Sequence, residues 1–533
     1  MISPARPLPI IDNKPARSWL WALVLGLLSA TGFEPLGLWP VALVAAGLFV
    51  ALIARAENRK QAAWLGWLFG WTHFTLGNNW IATSFTYQAQ MPEVLGWLAV
   101  PLLAIYLAVY PALAALIAHV IARKGSGWAF ALVFAGAWIV TEWLRGWLLS
   151  GYAWNPFAMV LLGPFDRPGL AALSPIMGTY ALSGIAIVLG ASLVLLAEER
   201  RIRVLALVAL MVTAGMYLPA PAPREGELVV TIVQPDIQQE RLDDPRAFEP
   251  NFQMLAGLSL PLDAEDARPR VVLWPESGMV DYLREGYPER YYRNTALGSP
   301  IFARRRLGLS VGEGSVLLTG AVDLEIGPDE TGVDRVLGAR NAVTAVSADG
   351  ELLGGYSKAH LVPFGEYLPL RGVLEPLGLS RLVPGSIDFW PGPGPQTLDL
   401  GEYGRAGMQI CYEIAFPGQV TDRANRPDYI FNPSSEGWFN RFGPPQFLAQ
   451  SRMRAIEEGL PVLRATNKGI SAVIDVRGVV RDHVAMDGEG RIDTIIPPAA
   501  SPTLFARMGN LLSLIWATII LLIGVVAMRR KAR

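Results

Sequence analysis

Cysteine is almost absent from this sequence, since Cys411 is the single cysteine among 533 residues. One cysteine can neither close an internal disulfide nor complete a cysteine-based zinc site or an iron–sulfur cluster. Charged residues are also scarce, at 17% of the chain, and the formal net charge is -1. No overall basic field therefore favours nucleic acid as a partner, and the sequence implies no metal or organic cofactor.

Apolar residues make up 52% of the chain, which is too many for an ordinary soluble enzyme. Long apolar runs fill the N-terminal part, whereas charged residues concentrate between Arg224 and Arg491. We expect a membrane domain with about seven helical spans over residues 1–219, an α/β domain over residues 220–503, and a C-terminal transmembrane helix with a basic cytoplasmic tail over residues 504–533. The predicted spans are Trp19–Phe33, Trp39–Ala54, Ala62–Phe85, Val94–Ala122, Trp128–Trp147, Ala171–Ala197, Val204–Leu218 and Gly509–Met528.

Basic residues in the short loops predict the orientation of the chain, because loops rich in Lys and Arg stay on the cytoplasmic side of a membrane. They cluster before the first predicted span and after the second, fourth and sixth, whereas the opposite loops hold almost none. The α/β domain is therefore expected outside the cytoplasm and the basic tail inside. The residues concerned are Arg6, Lys14, Arg17, Arg55, Arg59, Lys60, Arg123, Lys124, Arg200, Arg201, Arg203, Arg529, Arg530, Lys531 and Arg533.

Short β-branched runs separated by Gly, Pro and Asp turns predict strands between the seventh and last spans. Longer stretches of mixed polarity lie between some of these runs. One of them, Gln446–Gly459, has helical spacing and would expose Arg452, Arg454 and Glu457 to solvent. This mixture favours a layered α/β fold.

Three residues with useful chemistry follow the ends of predicted strands: Glu276, Lys358 and Cys411. Strand ends are where α/β folds hold reactive groups on a rigid scaffold. A carboxylate can take the proton of a thiol, and an ammonium can lower the pKa of that thiol or stabilise an oxyanion. From residue type alone, a buried and inert cysteine is the commoner case, and a Cys–His dyad through His360 is another alternative. Residue types by themselves leave these possibilities open.

Several strings, in a fixed order, resemble a known family. WPES (Trp274–Ser277), KAHLVPFGEYLP (Lys358–Pro369) and ICYE (Ile410–Glu413) resemble the nitrilase superfamily, in which a Glu-Lys-Cys triad cleaves or transfers acyl groups. Because they follow several membrane spans, the whole chain resembles the apolipoprotein N-acyltransferase family. Further similar strings are TGFEPLGLWP (Thr31–Pro40), TEWLRGWLLSGYAWNPF (Thr141–Phe157), LSPIMGTYALSG (Leu173–Gly184) and GPPQFLAQSRMRAIEEGLPVLRATNKGISAVID (Gly443–Asp475).

The resemblance implies a multi-pass α-helical membrane domain of about eight spans in all, joined to an α/β nitrilase-like domain, an αββα sandwich. It also implies roles for individual residues. Glu276 matches the general base, Cys411 the nucleophile, Lys358 the residue that stabilises the tetrahedral intermediate, and Glu366 the family's second acidic residue. Positions that match substrate-binding or supporting residues are Tyr412, Glu413, Trp438 and Phe439.

Three positions depart from the family's strings. Arg241 follows the QPDIQQ string, where the family often has a Trp, so the role of that Trp in a lid or substrate contact is in doubt. The family's SNDAWF string reads SSEGWF over Ser434–Phe439, which alters the acidic position. Lys468 adds an unexplained charge in the string TNKG.

Glu142 and Arg145 lie three residues apart near the outer end of a predicted span. Charges in membrane helices are costly and are usually paired or functional. The two residues therefore form either a structural ion pair or a contact with a lipid headgroup.

The resemblance implies a ping-pong acyl transfer at the outer, periplasmic face of a bacterial inner membrane. A phospholipid would donate its acyl group to Cys411 as a thioester, and the N-terminal amine of a diacylglyceryl-modified lipoprotein would accept it. The partners would then be these two substrates and the bilayer, with no nucleic acid, and the protein is expected to be a monomer. One alternative is a membrane-tethered amidase that acts on a small amide, although apolar loops at Val362–Leu370 and Ile387–Trp390 favour acyl chains. Another alternative is a transporter or scaffold in which Cys411 is structural.

Overall fold

The computed structural model describes residues 15–87, 93–222, 224–242, 244–261, 268–377 and 387–531. The chain divides into two compact units. The first takes in the described residues up to Ala82, Val94–Ala220 and the residues from Pro502 onward, and the second takes in Thr83–Glu93 and Pro221–Ser501. Three of the basic residues used to predict orientation, Arg6, Lys14 and Arg533, lie outside the described residues.

The first unit is built from apolar helices. Its long helices are α1 (Pro15–Ala30), α2 (Trp39–Ala54), α3 (Arg59–Gly77), α4 (Val94–Leu107), α5 (Val109–Ala122), α6 (Gly127–Arg145), α7 (Thr179–Glu198) and α8 (Ile202–Tyr217), followed at the C-terminus by Asn510–Lys531. Polar side chains set two of the starts, because the first N–H groups of a helix lack partners within it. Asn58 accepts hydrogen bonds from the first turn of α3, and Ser126 accepts one from the first turn of α6.

Within the described part of the chain, four helical segments are long and apolar enough to cross a bilayer, not about eight as the sequence predicted. They are Val94–Ala122, which joins α4 and α5, Gly127–Arg145, Thr179–Glu198 and Asn510–Arg529. The helices near residues 17–30, 39–54 and 202–217 are apolar but shorter. The 16 residues of α2 rise only ~24 Å, whereas a hydrocarbon core is ~30 Å thick. Counting every apolar run as a span therefore overstated the number of spans.

Two glycines allow α2 and α7 to approach each other closely. A Cβ at Gly47 would lie 2.0 Å from the carbonyl oxygen of Gly190, and a Cβ at Gly190 would lie 2.2 Å from the carbonyl oxygen of Leu43. Neither backbone has room for a side chain at this crossing. Small residues at helix crossings are the usual means by which apolar helices gain packing contacts in a membrane.

The second unit contains two six-stranded sheets. The strands are β1 (Val229–Gln234), β2 (Arg270–Leu273), β3 (Ser315–Pro328), β4 (Asp334–Ser347), β5 (Leu352–Ser357), β6 (Thr397–Asp399), β7 (Arg405–Met408), β8 (Tyr429–Ser434), β9 (Val462–Thr466), β10 (Ala472–Ile474), β11 (Val480–His483) and β12 (Gly490–Ile495). The strand order is β12-β1-β2-β3-β4-β5 in the first sheet and β11-β10-β9-β8-β7-β6 in the second. Strands β1, β2 and β3 are parallel neighbours in the first sheet, and β7, β8 and β9 are parallel neighbours in the second.

Helices cover the outer faces of the two sheets. Helices α9 (Phe248–Ser259) and α10 (Pro300–Val311) share a buried apolar cluster with the first sheet. Helix α11 (Gly443–Glu458) packs on the second sheet, where the guanidinium of Arg464 in β9 lies 4.4 Å from the ring centre of Phe447. The inner faces meet where Gln234 in β1 accepts a hydrogen bond from Thr466 in β9. This helix–sheet–sheet–helix order is the layering that the sequence predicted.

Shorter helical segments connect these elements. The α-helical ones are Ile81–Ser84, Ser174–Met177, Gln239–Leu242, Glu289–Tyr292, Arg371–Leu374 and Leu504–Met508, and the 3-10 turns are Phe85–Tyr87, Leu148–Ser150, Phe157–Leu161, Leu170–Leu173, Pro245–Ala247, Glu375–Leu377, Gly401–Tyr403 and Cys411–Ala415.

Helix α11 corrects one prediction. The helix forms where expected, but the side chains predicted to be exposed, Arg452, Arg454 and Glu457, are buried. The Arg452 Nε atom donates to the Gly478 carbonyl at 2.7 Å, and an Arg454 nitrogen lies 3.0 Å from a Glu457 oxygen. Charged side chains can be buried when partners compensate for the lost water. The Gly478 carbonyl, 26 residues from Arg452 in the chain, is a partner that helical spacing cannot reveal.

Candidate active site

The three reactive residues lie just beyond strand ends of the two sheets. Glu276 follows β2, Lys358 directly follows β5, and Cys411 opens the 3-10 turn after β7. The backbone of Cys411 has φ +50°, a left-handed conformation that costs a non-glycine residue roughly 1–2 kcal/mol. Cys411 therefore lies in a sharp turn that follows a strand and not in the strand itself.

Two carboxylates and one ammonium form the charged centre of the site. The Lys358 Nζ atom lies 3.0 Å from Oε1 of Glu366 and 3.5 Å from Oε1 of Glu276, and its side chain is only 1% exposed. Burial by itself lowers the pKa of Lys358, but the carboxylates of Glu366 and Glu276 outweigh it and hold that pKa above its ordinary value. Lys358 is therefore a permanent cation between two acids.

Cys411 is buried but lies among polar groups, because it interacts with Glu276, Lys358 and the Ser434 hydroxyl. Burial, followed by the Glu276 carboxylate, raises the pKa of the Cys411 thiol to about 12, against the opposing effects of Lys358 and Ser434. The sequence suggested that the ammonium could lower this pKa, but burial and the Glu276 carboxylate prevail. The resting thiol is neutral, so an attack by its sulfur would need a base.

Glu413 ties the loop after Lys358 to the turn at Cys411. Its Oε1 atom accepts hydrogen bonds from the Tyr356 hydroxyl at 2.7 Å and from the backbone N–H groups of Ala359 and His360 at 2.7 and 3.0 Å. Its Oε2 atom accepts from the N–H of Ile410 at 2.7 Å. Burial raises the pKa of Glu413 to about 7, although these donors oppose the shift. One side chain thus joins the loop after Lys358 to the residue before Cys411.

Two residues that the sequence did not single out hold Glu276 in place. The side-chain amide of Asn341 in β4 donates to Oε1 of Glu276 at 2.7 Å and to Oε1 of Glu366 at 2.8 Å. The backbone N–H of Ser435 donates to Oε2 of Glu276 at 2.9 Å. Asn341 is a polar residue on β4, the strand that pairs with β5. The sequence could have predicted its place in the site only if the register of these two strands had been known.

The other predicted residues occupy different surroundings. The Tyr412 ring packs edge-on against Phe416, and the His360 ring lies 3.6 Å from Phe416, centre to centre. Trp438 packs edge-on against Tyr87 in the second unit, at 5.6 Å between ring centres.

Phe439 and the unexplained Lys468 also lie in the second unit. Phe439 packs against Phe447 of α11, with 6.2 Å between ring centres. The Lys468 ammonium donates to the Gln238 side chain at 2.8 Å. The extra charge therefore has a neutral hydrogen-bond partner within the QPDIQQ string, three residues before the position of the missing Trp.

Glu142 and Arg145 belong to the helical unit and contact each other there. Their nearest charged atoms are 3.9 Å apart, and both side chains are buried. Glu142 also accepts from the N–H of Phe157 at 2.8 Å, and Arg145 donates to the carbonyl of Trp154 at 3.0 Å. The pair thus links α6 to the chain segment that follows it.

Comparisons with known proteins agree over nearly the whole chain. The family model for the apolipoprotein N-acyltransferase N-terminal domain matches residues 25–192, and that for carbon-nitrogen hydrolases matches residues 230–497. An apolipoprotein N-acyltransferase from Rhodopseudomonas palustris is 32% identical over 536 residues, with 95% of each chain covered. One from Caulobacter vibrioides is 33% identical and covers 95% of this chain and 94% of its own. An amidase structure from Nesterenkonia sp. is 17% identical, covers 52% of this chain and 93% of its own, and has a TM-score of 0.35. The chain belongs to the apolipoprotein N-acyltransferase family.

Proposed function

We propose that this protein transfers a fatty acyl group from a membrane phospholipid to the N-terminal amine of a diacylglyceryl-modified lipoprotein. Membership of the family supports lipoprotein N-acylation as the reaction. The observation that carries the mechanism is a single thiol, Cys411, beside a buried centre of Glu276, Lys358 and Glu366. A thiol, a base and a fixed cation are the parts that covalent acyl transfer needs.

In the first half-reaction, Cys411 attacks the ester carbonyl of the phospholipid. Glu276 takes the thiol proton as the bond from sulfur to carbon forms, because a thiol with a pKa of about 12 does not ionise beforehand. The Lys358 ammonium stabilises the oxyanion of the tetrahedral intermediate. When that intermediate collapses, Glu276 returns the proton to the departing oxygen, so that a lysophospholipid leaves and a thioester remains on Cys411.

In the second half-reaction, the α-amine of the lipoprotein attacks the thioester. Glu276 accepts a proton from the amine and then passes it to the departing sulfur, which restores the Cys411 thiol and yields an amide. Lys358 again stabilises the oxyanion. Glu366 supports both halves by holding the ammonium at 3.0 Å, and Glu413 supports them by fixing the turn at Cys411.

Exposed apolar side chains favour a lipid substrate over a small amide. Phe364 is 44% exposed and Leu370 is 76% exposed, and both lie on the loop that carries Glu366. The backbone of the neighbouring segment is bonded to this loop, because the N–H of Phe389 donates to the Glu366 carbonyl at 3.1 Å. In that segment Trp390 is 38% exposed. Apolar surface next to a reaction centre suits acyl chains and would be wasteful for a small polar amide.

The family and the apolar helices support a bacterial inner-membrane protein. We further propose domain boundaries near residues 219 and 503, where apolar helices border the strand-rich part of the chain. The basic loops support a periplasmic position for the second unit. Membrane helices would keep the enzyme and its two lipid-anchored substrates at the same membrane, which replaces a bulk encounter with a lateral one.

Intact mass spectrometry of the purified full chain tests the proposal. With phospholipid and no acceptor, we expect a fatty acyl adduct on Cys411 that hydroxylamine removes and that a diacylglyceryl peptide with a free amine discharges. The C411A variant should give no adduct while keeping its apparent Tm. An adduct lost to water at the same rate with and without the peptide would indicate an amidase, and turnover that persists in C411A would exclude covalent catalysis.

A further inference from the structure

Asn341 is the residue around which the charged centre is arranged. It lies in β4, where its neighbour Ala342 pairs with Ser357 of β5, the residue before Lys358. Its amide nitrogen donates at 2.7 Å to Oε1 of Glu276 and at 2.8 Å to Oε1 of Glu366. Its backbone carbonyl accepts the N–H of Lys358 at 2.8 Å. One residue therefore contacts all three charged members of the site.

Chemistry fixes which end of the Asn341 amide faces the acids. An amide has two N–H donors on nitrogen and none on oxygen, so only the nitrogen can approach two carboxylate oxygens without repulsion. Each N–H then serves one acid. The Lys358 ammonium lies 3.5 Å from the same oxygen of Glu276 and 3.0 Å from the same oxygen of Glu366. Both carboxylate oxygens therefore contact one cation, Lys358, and one neutral amide, Asn341.

The charges around Glu276 explain why a second donor matters. Glu366 is a like charge held by the same ammonium, and buried carboxylates that share one cation compete for it until one takes up a proton. Lys358 is the nearest cation, and Arg464 of the second sheet interacts with Glu276 more remotely. Cys411 is neutral at rest, so it adds no charge. The two N–H groups of Asn341 stabilise both anions without adding a charge.

The geometry points to Asn341 as the positioning residue that keeps Glu276 ionised as a base while Glu366 remains ionised beside it. This inference rests on the proposed function, in which Glu276 must be unprotonated to accept the thiol proton. Asn341 neither takes nor gives a proton in this role. It acts through the two carboxylates and through the backbone of Lys358.

Alkylation of Cys411 by iodoacetamide tests the inference without any lipid substrate. Cys411 is the only cysteine of the chain, so intact mass reports this site alone. In the wild type, the alkylation rate should show a fall at acidic pH, and E276Q should lose this acidic limb. In N341L, a change of similar volume without donors, we expect the acidic limb to move to higher pH by about one unit, with a roughly tenfold lower rate near pH 6.

A second variant and a matched control protect the test from misfolding. N341D keeps the shape but replaces the double donor, and it should move the acidic limb in the same direction. The buried Asn251 of α9 donates to the backbone carbonyl of Arg241 and not to an acid, so N251D should leave the limb in place. An acidic limb in N341L and N341D that coincides with the wild type would overturn the inference, as would a uniform loss of rate at every pH. Failure of the wild type to form an acyl adduct would refute the proposed function, and the alkylation profile would still decide the role of Asn341.

Discussion

Replacing Lys358 by methionine should leave two buried carboxylates without their cation. Lys358 Nζ lies 3.0 Å from the nearer oxygen of Glu366 and 3.5 Å from that of Glu276. At an effective dielectric constant near 20, these distances correspond to gross attractions of roughly 5 kcal/mol each. Desolvation of the three groups offsets much of this sum, so removing one partner from a buried cluster is expected to cost about 3–5 kcal/mol at neutral pH.

This cost should depend on pH, and its sign follows from proton binding. Without the ammonium, one carboxyl of the folded variant K358M holds a proton that the unfolded chain has released. A folded state that binds more protons than the unfolded state loses stability as pH rises. The wild type lacks this contribution, because the pKa of Lys358 is held above its ordinary value and its charge stays fixed. The variant should therefore approach wild-type stability near pH 5 and fall furthest behind near pH 8.

Apparent Tm in detergent, measured from pH 5 to pH 8, checks this reasoning. We expect K358M to unfold about 5–10 °C below the wild type at pH 8 and much closer to it at pH 5. Lys124, which is exposed in the helical unit, supplies the control: K124M should give a small difference that does not vary with pH. A deficit in K358M that is the same at every pH would refute the account of two acids sharing one cation.

Two further variants test the supporting contacts. E413Q should lower the rate of acyl-adduct formation by about a hundredfold, because a neutral amide cannot accept from all four donors and a shift of about 1 Å between Lys358 and Cys411 is enough for such a loss. R145L should lower the apparent Tm more than the double variant E142L/R145L, because the single change leaves a buried carboxylate unpaired, at a cost of about 3–5 kcal/mol.

Each of these two predictions has a result that would contradict it. For E413Q the matched control is E458Q, a buried glutamate on α11 that contacts Thr421 and should leave the rate unchanged. Equal losses in the two variants would show a general effect of burying an amide. For the helical pair, an unchanged Tm in E142L/R145L together with a raised KM for phospholipid would favour contact with a lipid headgroup over a structural ion pair.

Helical spacing and residue type predicted where helices form better than they predicted which side chains are buried. The helix at α11 forms where expected, yet Arg452 and Arg454 are buried. Arg452 donates to the Gly478 carbonyl, 26 residues away in the chain, and Arg454 pairs with Glu457 of the same helix. The count of about eight spans was also wrong. Apolar runs mark helices, but a helix can cross a bilayer only if it is long and apolar enough, and the run Trp39–Ala54 was counted as a span although its 16 residues are shorter than the hydrocarbon core.

By itself, the sequence determined the reactive atoms and their order along the chain: one thiol, the acids and lysine that follow strand ends, and the strings that resemble a known family. These are local properties that a few neighbouring residues are enough to predict. Only the tertiary structure decided that Asn341 contacts both Glu276 and Glu366, and that burial raises the pKa of the Cys411 thiol to about 12. Both depend on strand register and on the exclusion of water, which arise when residues far apart in the chain pack together.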